Sequence, residues 1–269
     1  MVKIHNCFIL KGMICISMLF GFGCAATGVS TPPTNSAVSN ERVLRVGVTA
    51  NAPPLVFRKG DKIQGLEADL AQELGTSLGK SVQFVDLKWE DLIPALLDNK
   101  IDIIMSGLSV TKMRKVRVAF TEPYLNSGLK AMIRGKDVSK YPSLIIFQFL
   151  SEPRVGVEKG TTADFLVQKV FKSTKRVLLS SPEKAAQALV KEKIDVFIHD
   201  APVIWWLAAE KESDGLIPVP EFLTREDLAW AVRHEDKELL NSANNFISKM
   251  KNDGKLKAAI NQWIPYAFK

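Results

Sequence analysis

The feature that most constrains this chain is an apolar run that ends abruptly in a polar helix start, and it occurs twice. Ile101-Asp102-Ile103-Ile104-Met105 leads into Ser106-Gly107-Leu108-Ser109-Val110-Thr111-Lys112-Met113-Arg114, and Ile194-Asp195-Val196-Phe197-Ile198 leads into His199-Asp200-Ala201-Pro202. Short apolar runs bounded by turn residues read as buried strands. Strands that alternate with helices build parallel sheets through right-handed crossovers, and ligands of such sheets bind beyond the strands' carboxyl ends. Both polar segments therefore stand where a ligand would meet them. In the first, hydroxyls, a glycine and an arginine one turn later gather at a helix N-terminus, a setting suited to a carboxylate.

The chain around each run follows the same plan. Before the first come a strand at Arg42–Val48 and the segment Ala52–Phe57, which Pro53-Pro54 make a rigid loop. Leu66, Leu70 and Leu74 then line one helix face, with Glu67 and Asp69 in a first turn where carboxylates suit the helix dipole. A strand at Val82–Val85 and a helix from Glu90 to Leu97 follow. Before the second run come a strand at Arg154–Val157, a helix opened by Gly160-Thr161-Thr162-Ala163, a strand at Val177–Leu179 and a helix over Pro182–Val190. Leu228–Val232 then returns as a strand, and helices over Lys237–Met250 and Lys255–Trp263 close the chain. The expectation is an α/β fold of two similar parallel-sheet lobes, residues 42–125 with 227–269 and residues 126–226. Two crossings, near Tyr124–Gly128 and Thr224–Leu228, form a two-strand hinge, and the cleft between lobes encloses a small ligand.

The N-terminus is of a different kind. Lys3 and Lys11 precede the apolar stretch Gly12–Gly23, too short to span a bilayer comfortably and fitting a signal peptide over residues 1–23. All three cysteines, Cys7, Cys15 and Cys24, fall in or at the end of this segment, so the mature chain forms no internal disulfide. From Ala25 to Asn40 the chain is uncharged and rich in Thr, Pro, Ser and Asn, a tether reaching roughly 20 Å. The net charge of +7 loses Lys3 and Lys11 and no acid, leaving +5. Lysines spread along the chain with few aromatics among them make a solvated surface, and no nucleic-acid partner is expected. His5, His199 and His234 are far apart with no cysteine or acid at ligand spacing, so neither a metal nor a cofactor is expected.

From about Val43 to Trp263 the chain resembles the family 3 periplasmic solute-binding proteins, the polar amino-acid receptors of ABC importers. The landmarks are Leu44-Arg45-Val46-Gly47, Pro53-Pro54, Gly65–Ala71, Trp89–Leu96, Asp102–Thr111, Arg114-Lys115, Phe120–Tyr124, Gly160-Thr161-Thr162, Asp195–Pro202 and Asn252-Asp253-Gly254. The resemblance implies a two-lobe fold that closes on its ligand. By position, Arg114 matches the arginine that binds an α-carboxylate, with Ser109 and the backbone at Ser106 and Gly107 adding hydrogen bonds. Asp200 matches the acid that receives the α-ammonium, Trp89 the aromatic over the ligand, and Thr161 a contact from the other lobe. His199 is a further candidate contact. Each has a structural alternative: Arg114 as a helix cap or surface ion pair, Asp200 as a helix N-cap, Trp89 as core.

The departures concern the ligand's side chain. Thr49, Ala52 and Leu55 stand where many relatives carry an acid and aromatic rings, which argues against a strongly cationic side chain. Glu158 stands where some relatives place a side-chain reader, which would suit a polar or basic ligand group. Cys24 resembles the lipobox cysteine of bacterial lipoproteins, although Gly21 replaces the usual leucine; lipidation there would hold the protein on a membrane in the periplasm or cell envelope. The implied function is capture of a small amino acid or similar carboxylate by a monomer, without catalysis, for delivery to an ABC importer permease. Two other readings use the same fold, a cyclohexadienyl-dehydratase-like enzyme and a ligand-sensing lipoprotein.

Overall fold

The computed structural model describes residues 42–141, 152–265 and 267; the predicted signal peptide, Cys24 and the tether lie outside them. Two five-stranded sheets dominate the described chain. In the first, Val43–Val48 runs parallel to Ser81–Asp86 on one side and Ile103–Ile104 on the other, followed by Ala231–Val232 and Ala119–Phe120. In the second, Arg154–Glu158 runs parallel to Lys175–Leu179 and Val196–Asp200, followed by Leu129–Arg134 and Leu216–Pro218. The two orders are the same, strand for strand.

Neither sheet is wholly parallel, which corrects the expectation from alternation alone. The fourth strand of each is antiparallel to the third. It belongs to chain that has just crossed from the other lobe, and the crossings lie at the carboxyl ends of the parallel strands. A strand entering there runs away from the cleft, as the pairing of Leu129 with Asp200 shows. The crossing strands, Leu125–Ser127 and Glu226–Leu228, pair antiparallel with each other. Between them and the second sheet sits Gly128, where a Cβ would lie 2.0 Å from the Thr224 carbonyl oxygen, so only glycine fits.

A clasp of charged side chains is also duplicated. The backbone N–H and Nε of Arg45 both donate to Asp102 Oδ2, at 2.8 and 3.1 Å, and those of Arg154 both donate to Asp195 Oδ2 at 2.9 Å. Arg233 Nη1 donates to the Leu96 and Ile101 carbonyls at 2.9 and 2.7 Å; Arg134 Nη1 donates to those of Leu189 and Ile194 at 2.8 and 2.6 Å. Leu96 and Leu189 lie in the last turns of the helices Leu92–Leu97 and Pro182–Val190, whose carbonyls have no partner inside the helix. Burial would raise the Asp195 carboxyl, but hydrogen bonds from Arg154 outweigh it and hold the pKa at about 2.

Helices cover both sheets through the faces their leucines and alanines present. Helix Leu66–Ser77 buries Leu66, Leu70 and Leu74 against the first sheet, and Pro182–Val190 buries Ala185, Ala186 and Leu189 against the second. Helices Lys237–Asn252 and Lys255–Trp263 complete the first lobe's outer layer. The segment read as a rigid loop is instead part of a three-stranded antiparallel sheet, Asn51–Ala52, Val56–Lys59 and Lys62–Gln64, with Pro53-Pro54 in its first connection. Among the described residues no helix is long and apolar enough to cross a membrane.

Candidate functional site

The carboxyl ends of equivalent strands face each other across the cleft. On the first lobe, Val43–Val48 delivers Thr49, whose N–H donates to Ser106 Oγ at 2.8 Å. Ile103–Ile104 delivers Ser106, Gly107 and Ser109. A short helix, Lys112–Lys115, is capped by Thr111, whose Oγ1 accepts from the Arg114 N–H at 3.1 Å. That cap turns the Arg114 side chain back into the cleft, where it is 9% exposed and Nη1 donates to the Ser109 carbonyl at 2.8 Å. The guanidinium lies 5.3 Å from the centroid of the Trp89 ring.

On the second lobe, Arg154–Glu158 delivers Glu158, and Val196–Asp200 delivers His199 and Asp200. The three form a row: His199 Nε2 lies 3.4 Å from Glu158 Oε2, and Nδ1 lies 3.3 Å from Asp200 Oδ2. The Asp200 N–H donates to Nδ1 at 2.8 Å, which places the single proton of the neutral ring on Nε2, toward Glu158. Burial alone would lower the His199 pKa, but the Asp200 and Glu158 carboxylates outweigh it and raise it to about 9. Taking up that second proton costs the ring its bond from the Asp200 N–H.

Bonds between the lobes close the cleft. Trp89 Nε1 donates to the Gly160 carbonyl at 3.1 Å, Arg114 Nη2 reaches the same oxygen at 3.4 Å, and Asn51 Nδ2 donates to Glu158 Oε1 at 3.1 Å. Outside them, Lys159 pairs with Glu90 at 3.4 Å. Between the lobes remains a cavity of about 20 Å³, the volume a single water centre needs or little more. Its wall at Thr49, Asn51, Trp89 and Glu158 is shared with an outer groove of about 690 Å³.

All the residues singled out in the sequence, Thr49, Trp89, Ser106, Gly107, Ser109, Arg114, Glu158, Thr161, His199 and Asp200, line this cavity, together with Asn51, Ala52, Leu55 and Thr162. Their structural alternatives fare unequally. Arg114 forms no ion pair among the described residues; burial lowers its pKa, the Asp200 and Glu226 charges raise it again, and a guanidinium stays charged regardless. Asp200 precedes the helix Ala201–Glu210 but its side chain does not cap it, and its Oδ1 is buried without a hydrogen-bond partner. The Thr49 hydroxyl is buried and unpartnered in the same way. Thr161, in contrast, spends its hydroxyl within its own lobe, donating to the Glu158 carbonyl at 2.7 Å and accepting from the Asp164 N–H at 3.2 Å.

Two features escaped the sequence reading. The Gly107 N–H is turned away from the cleft onto Glu67 Oε2, so it is not free for a ligand carboxylate. Glu67 itself is no surface partner of the helix dipole: it is 1% exposed, beneath the loop. Burial pushes its carboxyl up to about 8. Asn51, the partner of Glu158, carried no signal beyond its place in the Ala52 loop. Among the described residues no group of three or more His, Cys, Asp or Glu side chains is placed to hold a metal ion.

Two lobes of one topology, joined by paired strands and closing on a polar cavity, are the architecture of a type II periplasmic binding protein. Residues 44–266 match the model of the bacterial extracellular solute-binding proteins, family 3, and the chain belongs to that family. It is 32% identical over 232 residues to the ABC transporter arginine-binding protein 1 of Escherichia coli (strain K12), a match covering 82% of this chain and 90% of that one. To the L-cystine-binding protein TcyJ of the same strain it is 26% identical over 257 residues, covering 95% and 94%. Among solved structures, the ancestral amino acid-binding protein AncCDT-1, a precursor of cyclohexadienyl dehydratase, superposes with a TM-score of 0.76 at 32% identity, covering 84% of this chain and 97% of that one.

Proposed function

We propose that this protein captures an α-amino acid, or a close analogue, in the cleft and delivers it to an ABC importer permease. One observation carries the reading: a buried cation, Arg114, and a buried carboxylate with an unpartnered oxygen, Asp200, stand on opposite lobes of one cavity. A zwitterion satisfies both once the lobes, here closed on about 20 Å³, part enough to admit it, and its two ends are met together only when they close on it. Trp89 packs beside the carboxylate end, and Ser106 and Ser109 shape the same wall. Residues 42–125 with 227–269 act as one lobe and residues 126–226 as the other, hinging at Leu125–Ser127 and Glu226–Leu228.

The side chain of the ligand points toward Thr49, Ala52, Leu55, Asn51 and Glu158. Relatives named for arginine and for cystine share the family; an uncharged Thr49, with Glu158 already engaged by Asn51 and His199, favours a polar but uncharged side chain over arginine's. The cleft binds its ligand without chemical change. Elimination of water needs a positioned general acid; Glu158 and Asp200 are committed to His199, Asn51 and the ammonium, and the His199 ring is held between those two carboxylates. The protein works as a monomer in the periplasm or cell envelope, held to the membrane by lipid on Cys24.

A thermal-shift screen with the standard amino acids, small dicarboxylates and prephenate tests this, because a ligand in excess raises the melting point by mass action. Stabilisation by one or a few amino acids is the expected result. Stabilisation by prephenate alone would move the protein to the dehydratase reading, and no response to any amino acid would end the present one. Deletion of the partner permease separates import from sensing: uptake of the bound amino acid falls only if the protein feeds a transporter.

A further inference from the structure

Glu67 lies at the junction of three segments that must move together. Its Oε2 accepts from the Gly107 N–H of the loop that carries Ser106, Ser109 and Arg114. Its other oxygen, the Tyr124 hydroxyl and Trp230 Nε1 are all buried without a hydrogen-bond partner of good geometry, yet the Tyr124 and Trp230 donors lie close enough to favour the charged carboxyl. Tyr124 immediately precedes the crossing strand Leu125–Ser127, and Trp230 follows Glu226–Leu228 by two residues. Their rings stack with centroids 5.8 Å apart. The Tyr124 N–H donates to the Leu228 carbonyl at 3.0 Å, and the Ala229 N–H to that of Leu108 at 3.1 Å, so loop and crossings form one hydrogen-bonded unit around this carboxyl.

We propose that Glu67 is a positioning residue that ties the ligand loop to both strands joining the lobes, so that its charge state tunes ligand affinity. The inference rests on the amino-acid reading above. An ionised carboxyl holds the Gly107 N–H more strongly than a protonated one. Burial disfavours that ionised form, the Gly107, Tyr124 and Trp230 donors favour it, and the Asp200 charge on the opposite lobe disfavours it. Tyr124 is no competitor for the proton, because burial raises its own pKa well above the ordinary value. The ligand carboxylate arrives with its charge matched by Arg114, and when the ligand ammonium pairs with Asp200 the repulsion on Glu67 is relieved. Ligand binding therefore favours ionised Glu67 and releases a proton from it, and affinity rises with pH until Glu67 is ionised in the free protein, at about 8.

The test is Glu67→Gln, which keeps an acceptor for Gly107 and a donor for Tyr124 but binds no proton. Calorimetry with the amino acid giving the largest thermal shift, from pH 6.5 to 8.5, should show wild-type affinity rising up to about tenfold, the limit per unit of pKa shift, while Glu67→Gln stays flat. His199 also titrates near this range, and its contribution appears equally in both proteins. A wild-type profile without slope, or the same slope in Glu67→Gln, overturns the proposal. Melting curves without ligand check the buried ionisation separately: relative to Glu67→Gln, the wild type should lose stability as pH rises from about 4.5 to about 8. A difference independent of pH also overturns it. Failure of every amino acid to bind strikes the functional reading, and the melting curves still decide whether Glu67 titrates in the fold.

Discussion

Replacing Asp200 by Asn separates charge recognition from shape. The substitution keeps size and one acceptor but removes the charge that the unpartnered Oδ1 offers to a ligand. Two unit charges about 4 Å apart, at the effective dielectric of ~20 that suits partly buried pairs, interact by about 4 kcal/mol. The asparagine carbonyl recovers a neutral hydrogen bond of about 1 kcal/mol. The net loss is roughly 2–3 kcal/mol, or a rise in Kd of about 30- to 150-fold for the zwitterion. The des-amino analogue of the same ligand has no ammonium to lose and should change less than about threefold. Calorimetry of both ligands against both proteins closes a cycle whose coupling is the ammonium–carboxylate term. Equal losses for the two ligands would refute the assignment, because they would mean that Asp200 acts through structure alone. An independent sign follows from His199: with one of its two flanking carboxylates gone, its ring pKa should fall from about 9, as read by NMR titration of the ring protons.

Arg114→Ala leaves the ligand carboxylate without its charged partner in a buried cavity, and calorimetry should show amino-acid affinity weakened by about a thousandfold, a loss on the order of 4 kcal/mol. Trp89→Phe keeps a ring beside the guanidinium but deletes the 3.1 Å bond from Nε1 to Gly160 across the cleft; Kd should rise about fivefold with the melting point of the free protein unchanged. Gly107→Ala places a Cβ at φ +66° and 2.9 Å from Leu55 Cδ1, and urea denaturation should show a loss of about 1–2 kcal/mol. Cys24→Ala should move the protein from the membrane to the soluble fraction, and globomycin should cause precursor to accumulate; unchanged fractionation would remove the anchor.

Periodicity made much of the fold legible, because a helix that buries one face must place apolar residues on it. Leu66, Leu70 and Leu74 do line the buried face of Leu66–Ser77, and both apolar runs supply strands, but only the second leads straight into a helix, at Asp200; after the first, Ser106–Ser109 lie in a loop and the helix begins only at Lys112. The same logic failed at Glu67. A carboxylate in a first turn reads as a solvated dipole partner, and nothing in the local pattern tells that a loop forty residues on lies over it. The Gly107 N–H is illegible for the same reason: a glycine among hydroxyls announces an unusual backbone, not the direction in which its N–H points. The antiparallel fourth strands were hidden because Leu129–Arg134 and Ala231–Val232 carry no mark of direction, which is set by the end of the sheet at which a crossing arrives.

The duplication explains why a zwitterion suits this cleft. Ile103–Ile104 and Val196–Asp200 are each the third strand of their sheet, and Val43–Val48 and Arg154–Glu158 each the second. Their carboxyl ends are therefore opposed when the lobes close, and whatever they carry meets across the cavity. The clasps that fix these strands, Arg45 with Asp102 and Arg154 with Asp195, are alike in both lobes. The residues past the strand ends are not. The third strand ends at Asp200 in one lobe, whereas in the other Arg114 stands on the short helix Lys112–Lys115 beyond it, so opposite charges face each other from positions that are not equivalent. The second strands end at Thr49 and Glu158, an uncharged and an acidic group bridged toward each other by Asn51. On the proposed reading, matched scaffolds would hold the two ends of the ligand, and the unmatched pair at Thr49 and Glu158 would discriminate among side chains. Exchanging that pair's chemistry, with Thr49→Asp supplying a second acid, should shift preference toward cationic amino acids while leaving the shared recognition by Arg114 and Asp200 in place.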